Sequence, residues 1–300
     1  MKKLLIAAGL IAAVFTACHS VSDAIGVTAE GAGDAGIISQ DLANAGIRFS
    51  EDMDRAQEDF TPEQEYYIGR AVGTQILAKY PVDTSRPEQT AYLNTILQAL
   101  AVNSPNQNTY NGYYAAILDS DEINAFATSG GHIFVSRALF DSAPNEDALA
   151  AVLAHELAHI QLQHSVKAIQ ADRKAQAIRA FAASGTGALT GGTALEELTN
   201  IFDRSVSDAV ITLIDRGYSR DQEYDADTSA LGILAAAGYD PASLLDVLRI
   251  LDREQPNHPG GFNETHPAPR DRLNNANRRL GAYSVPDTRA FRRSRFSAAQ

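Results

Sequence analysis

The segment Ala148-Leu149-Ala150-Ala151-Val152-Leu153-Ala154-His155-Glu156-Leu157-Ala158-His159 is apolar on every side until it reaches two histidines four residues apart, with a glutamate behind the first. A helix that is apolar all round belongs in a protein interior. Positions four apart on a helix are turned by about 40° and raised about 6 Å, so the imidazoles of His155 and His159 can reach one ion. Glu156 sits about 100° round. From there it can take a proton from a water on that ion without binding the ion itself. The competing explanation is a buried helix with two hydrogen-bonded core histidines, but buried histidines usually come singly.

Zinc catalysis needs three protein ligands and an open position. No Gly-x-x-His follows His159, so the third ligand is distant in sequence. His164 lies about 180° from His155 if the helix continues, and is set aside. The acidic run Ser219-Arg220-Asp221-Gln222-Glu223-Tyr224-Asp225-Ala226-Asp227 supplies the candidate. It could be a solvated helix face, but helical phase separates its members. Glu223 and Asp227 share a face with Ala230, Leu231 and Leu234, whereas Asp221 and Asp225 lie opposite. Carboxylates on a buried face need a cation or donors. The expectation is that His155, His159 and Glu223 hold one Zn2+ per chain, with Glu156 as catalytic base. Asp227 would accept the other ring N–H of a ligand histidine and fix its tautomer.

The rest of the chain sets the context. A formal net charge of −12 argues against a nucleic-acid partner, which needs a basic surface to displace phosphate counterions. Lys2 and Lys3 precede the apolar run Leu4 to Phe15, the length of a signal-peptide core and too short to span a bilayer. Phe15-Thr16-Ala17-Cys18 follows and resembles a bacterial lipobox, with Phe15 where that pattern prefers Leu. Cys18 is the only cysteine, so no intrachain disulfide can form. A lipidated Cys18 would tie the chain to a membrane at about 0.8 kcal/mol per buried methylene. His19 after it, by resemblance to lipoprotein sorting, points to the outer membrane facing the periplasm.

The expected organisation is a signal peptide at 1–17, a lipidated cysteine and flexible tether at 18–60, a protease domain at 61–282 and a basic tail at 283–300. Thr61-Pro62-Glu63 opens a helix towards Tyr80, and a second spans Pro87 to Val102. Tyr113 to Leu118, Ile123 to Thr128 and His132 to Ser136 read as strands, the last two joined by the hairpin turn Ser129-Gly130-Gly131. Helices are expected near 144–164, 166–183, 194–215, 219–237, 241–253 and 268–280. The fold class is therefore α+β, mostly helical with one small sheet. No role falls to His258, and Arg289 to Arg295 reads as a solvated tail with a possible affinity for anionic head groups.

The paired motif, His155-Glu156-Leu157-Ala158-His159 with a distant Glu223-x-x-x-Asp227, resembles the gluzincin peptidases of metallopeptidase family forty-eight, which includes the HtpX-, BepA- and Oma-type proteases and the prenyl proteases. Asn124-Ala125-Phe126-Ala127 followed by Gly131-His132-Ile133-Phe134-Val135 is similar to that family's strand pair before the active helix. Thr265-His266-Pro267 followed by Arg270 and Arg272-Leu273 is similar to its C-terminal segment, and Thr61 to Arg70 also fits. The likeness covers about residues 60–282. It implies a zincin-like domain with its sheet beside the active helix, in a single-domain lipoprotein-type member. The chemistry implied is peptide-bond hydrolysis in unfolded or extended envelope proteins, with substrate pairing along Gly131, His132, Ile133, Phe134 and Val135 as an edge strand. His266 would stabilise the oxyanion or plug the zinc as a fourth ligand, unless it merely caps a helix. The alternative function class is a non-catalytic zinc-stabilised chaperone of the same fold, which would have no use for Glu156.

Overall fold

The computed structural model describes residues 30–31, 34, 40–57, 59–107, 109–184, 217–254, 265–266, 268–283 and 287–299. The signal peptide, Cys18, the helix expected near 194–215 and His258 lie outside them. The chain divides into two units, residues 1–59 with 168–205, and residues 60–167 with 206–300.

The first unit corrects one expectation. Helix α1, Gln40–Gln57, occupies part of the stretch read as tether. Its Gly, Ala and Asp content suggested a linker, yet Ala43, Gly46, Phe49 and Ser50 are buried at helical spacing.

The second unit is built around a three-stranded sheet. Helices α2, Pro62–Lys79, and α3, Pro87–Val102, form where expected. Thr61 caps α2 in a reciprocal box with Gln64. Strands β1, Tyr114–Leu118, β2, Ala125–Thr128, and β3, His132–Ser136, assemble in the order β1-β3-β2. β2 and β3 form an antiparallel hairpin with Ala125 opposite Val135, while β1 joins β3 in parallel. The hairpin turn needs glycine: Gly130 has φ 81°, and a Cβ there would lie 2.3 Å from Tyr66 Cα.

Side chains alternate across the hairpin with the strand period of two. Ala125, Ala127, Ile133 and Val135 face the main core. Phe126 and Phe134 point the other way, onto α2, where Phe126 stacks on Tyr80 and the Phe134 ring meets Gly73. The strand order overturns the expected substrate edge. His132 to Val135 lie in the central strand β3, whose two sides are taken by β1 and β2, and Gly131 immediately precedes it. Local sequence pattern could not show that the earlier strand inserts beyond β3.

After the short helix α4, Arg137–Ser142, comes the central helix α5, Glu146–Gln161, buried from Glu146 to Ile160. Helices α6, His164–Ser184, α7, Arg220–Ala236, α8, Ala242–Glu254, and α9, Pro269–Leu280, follow. α7 makes the broadest contact with α5, and α3, α8 and β2 also pack on α5.

The expected C-terminal tail holds a further helix, α10, Arg289–Ala299. Its basic residues are not all solvated. Arg292 forks onto Asp147 at 2.8 and 3.0 Å, and Arg295 pairs with Glu146. These acids sit in the first turn of α5, buried beside the cap Asn145, with Tyr92 and Tyr239 hydroxyls donating to Glu146 at 2.6 and 2.9 Å. Removing one partner of a buried pair costs about 3 kcal/mol or more, whereas an exposed partner is worth about 1 kcal/mol or less. Arg292 is 8% exposed and Arg295 55%. Arg292→Ala should therefore lower the stability of the α5 unit by about 3 kcal/mol and Arg295→Ala by about 1 kcal/mol or less, read by urea unfolding; equal losses would contradict this account.

Candidate active site

The site gathers side chains from four places on the core: α5, α7, the Thr265-His266 segment and α9. His155, Glu156 and His159 project from the last turns of α5, all fully or nearly buried. α7 starts at the cap Ser219, boxed with Gln222, and turns Glu223 and Asp227 inward while Asp221 and Asp225 stay exposed. Thr265 O accepts from Tyr218 N at 3.1 Å, which seats His266 beside the start of α7.

The nitrogen Nε2 of His155 stands 3.0 Å from His159 Nε2, 3.3 Å from His266 Nδ1 and 3.5 Å from Glu223 Oε2. Glu223 Oε1 lies 3.5 Å from His159 Nε2 and 3.0 Å from His266 Nδ1. Ligand atoms about 2.0–2.1 Å from one tetrahedral ion stand about 3.3 Å apart. The four residues His155, His159, Glu223 and His266 thus offer donors spaced as one ion requires, and they form a buried group that could hold a metal. Both oxygens of Glu156 are buried without a hydrogen-bond partner among the described residues, 3.5 Å or more from His266 Nε2. A carboxylate so placed suits a water or substrate proton. The donors fit a divalent cation, and Glu156 fits the base beside it.

The outer nitrogens of His155 and His159 are both engaged. His155 Nδ1 meets Asp227 Oδ1 at 3.0 Å. Asp227 in turn accepts from Arg272 Nε and Nη2 at 2.9 and 2.8 Å, and Arg272 Nη1 pairs with Glu223 Oε2 at 2.7 Å. The fully buried Arg272 on α9 therefore grips both acids of α7. Nothing local in the sequence marks Arg272 for this role, although it shares an inward helical face with Asn275 and Ala276. His159 Nδ1 lies 2.9 Å from His164 Nδ1, and the Tyr218 ring stacks on His159 at 4.1 Å. His164 had been set aside on the premise of a continuous helix; α5 instead ends at Gln161, and Gln163 at φ 55° turns the chain back. His266 is no helix cap, since Ala268 takes that position on α9.

Burial and Arg272 both oppose a proton on His155, but Asp227 and Glu223 outweigh them and raise it to about 9. Burial, then the charge on His155, holds His159 well below the usual range. Burial raises Glu156, and burial opposes but Arg272 and His266 enforce a strongly lowered Glu223. Burial, then Lys167, lowers His164 to about 4.

The profile of Peptidase family M48 matches residues 87–280. The chain belongs to peptidase family M48. Among its M48 relatives, the "Beta-barrel assembly-enhancing protease" of Yersinia pestis is 28% identical over 219 residues, 72% of this chain and 44% of that protein. "Metalloprotease LoiP" of Escherichia coli (strain K12) is 27% identical over 208 residues, 69% of this chain and 77% of the relative. "Mitochondrial metalloendopeptidase OMA1" of Schizosaccharomyces pombe is 30% identical over 156 residues, 50% of this chain and 41% of the relative. The chain thus spans less than half the length of the assembly-enhancing protease.

A histidine protonated up to about pH 9 must lose that proton to bind a metal. Metal binding at pH 7 should release about one proton, and affinity should rise about tenfold per pH unit from pH 6 to 8. Titration calorimetry in buffers of different ionisation enthalpy measures the release. Uptake, or no release, would show that the proton on His155 does not compete with the metal.

Proposed function

We propose that this M48 member is a zinc-dependent endopeptidase that cleaves unfolded or extended polypeptides in the bacterial cell envelope. The observation that carries the reading is the unpartnered carboxylate of Glu156 beside a buried His155, His159 and Glu223 donor set. Zinc held there would polarise the scissile carbonyl and lower the pKa of water to about 7. Glu156, raised by burial, takes the proton of the attacking water and passes it to the leaving amine. Asp227 and Arg272 hold His155 and Glu223 in place while this happens. The position of His266 Nδ1 among the ligand atoms supports the plugging role at rest, with displacement by substrate.

Substrate needs an alignment surface. With β3 enclosed, the edges are β1 and β2. The outer side of β1 is occupied. Gln98 donates to Tyr113 O, Asn94 pairs with both Ala115 N and Ala115 O, and Asp83 N donates to Ile117 O. We assign the pairing of an extended peptide to β2, the other edge strand, whose residues are buried and which packs on α5. The names of the assembly-enhancing relatives favour envelope proteins as substrates. None of the described helices is long and apolar enough to cross a membrane. We assign membrane attachment to a lipidated Cys18 on the periplasmic face of the outer membrane.

Three experiments test this. Glu156→Gln should keep about one zinc per chain while hydrolysis of unfolded casein falls by about 100-fold to 10,000-fold. Glu223→Ala should lose zinc and activity together, and Asp225→Ala, on the exposed face, should lose little. Full activity in Glu156→Gln would remove that residue from the mechanism, and a zinc-loaded wild type without hydrolysis would favour the chaperone reading. For the anchor, acyl labelling in cells should disappear in Cys18→Ala; persistent labelling would rule out attachment at that cysteine.

A further inference from the structure

We propose that His164 is a positioning residue for the metal ligand His159, accepting the Nδ1–H of His159 on its own Nδ1. The inference rests on the metal assignment above. With His159 Nε2 directed at the ligand group, its proton belongs on Nδ1, and the group 2.9 Å away is His164 Nδ1. Two ring nitrogens at that distance make one hydrogen bond only if one donates and the other accepts. His164 is therefore neutral with its proton on Nε2. For His159 this contact does what Asp227 does for His155: it fixes the tautomer and the ring plane.

The contact is built, not incidental. It depends on ending α5 two residues past His159 and reversing the chain at Gln163, whose left-handed backbone at φ 55° costs about 1–2 kcal/mol for a residue with a Cβ. A continuous helix would have sent His164 to the far side. The reversed chain is then tied to the helix carrying the third ligand. His164 O accepts from Gln222 Nε2 at 3.3 Å, and the same Gln222 side chain accepts from Ser219 N in the α7 cap. The Tyr218 ring lies against both histidines, 4.1 Å from His159 and 5.8 Å from His164. His164 is 1% exposed, so water does not replace this acceptor from the surface.

The test compares His164→Leu, which removes the acceptor, with His164→Asn, whose amide oxygen falls where Nδ1 was. Zinc affinity is read by chelator competition, and the metal-free protein is unfolded in urea. The exchangeable, hyperfine-shifted Nδ1–H of His159 is followed in the cobalt-substituted protein. His164→Leu should bind zinc about 10–100-fold more weakly and lose the His159 proton signal to rapid exchange. His164→Asn should recover most of the affinity and keep the signal. Equal affinity in His164→Leu and wild type overturns the proposal, as does His164→Asn as weak as His164→Leu. A loss of metal-free stability that accounts for the whole affinity change also overturns it, because packing alone would then explain the effect. None of these readouts uses hydrolysis. A wild type that binds zinc but cleaves nothing defeats the peptidase reading and leaves this one standing; a wild type that binds no zinc defeats both.

Discussion

Among the described residues, three carboxylates, Glu156, Glu223 and Asp227, are sealed in the interior with one guanidinium, Arg272. An unpaired charge in such a place is costly enough that the protein must neutralise it or bring in an ion. With neutral imidazoles the group carries two negative charges more than its one cation offsets, which is the charge of a divalent ion. Without the ion, protons substitute: His155 holds one up to about pH 9 and Glu156 is pushed up. Metal affinity and the perturbed titration of these residues are consequences of the same charge imbalance. Arg272 sets its size: without it the three carboxylates would carry three negative charges in place of two.

That charge cluster sits on α5, which is held at both ends by means unrelated to its apolar middle. At its start, Glu146 and Asp147 favour the helix N-terminus electrostatically, and Arg292 and Arg295 of α10 supply their counter-charges. At its end, the reversal at Gln163 stops the helix as soon as His159 has been presented. Between these points the side chains are mostly alanine and leucine, which allow α7 and β2 to approach closely.

What the sequence made legible follows from range. Helical phase is local, so the facing of Glu223 and Asp227 against Asp225 could be deduced from four or five neighbouring residues. The small sheet and most helix boundaries were readable for the same reason. Arg272 was not, because its partners lie on α7, 45 and 49 positions earlier by subtraction of residue numbers, and nothing local marks an arginine as buried. His164 was misplaced by one left-handed residue, which no pattern of apolar spacing announces. The strand order was hidden because β1 is placed by a parallel pairing made across the hairpin. Helix α1 was masked by a composition that also suits linkers.

The strand order bears directly on what can reach Glu156. β1 is closed by side-chain amides: Asn94 presents its oxygen and nitrogen to Ala115 much as a neighbouring strand would, and Gln98 donates its amide N–H to Tyr113 O. Such plugging is how sheets avoid unwanted strand addition. That leaves β2, which packs against the active helix, as the strand proposed to receive an extended peptide. Backbone pairing there is blind to side-chain identity but demands a chain free to extend over several residues. A folded helix or a paired strand has already committed its donors and acceptors, so it cannot use that edge. Under the proposed function, a requirement for extended polypeptide would come from the sheet, with β2 aligning the chain and the metal group acting on what β2 presents.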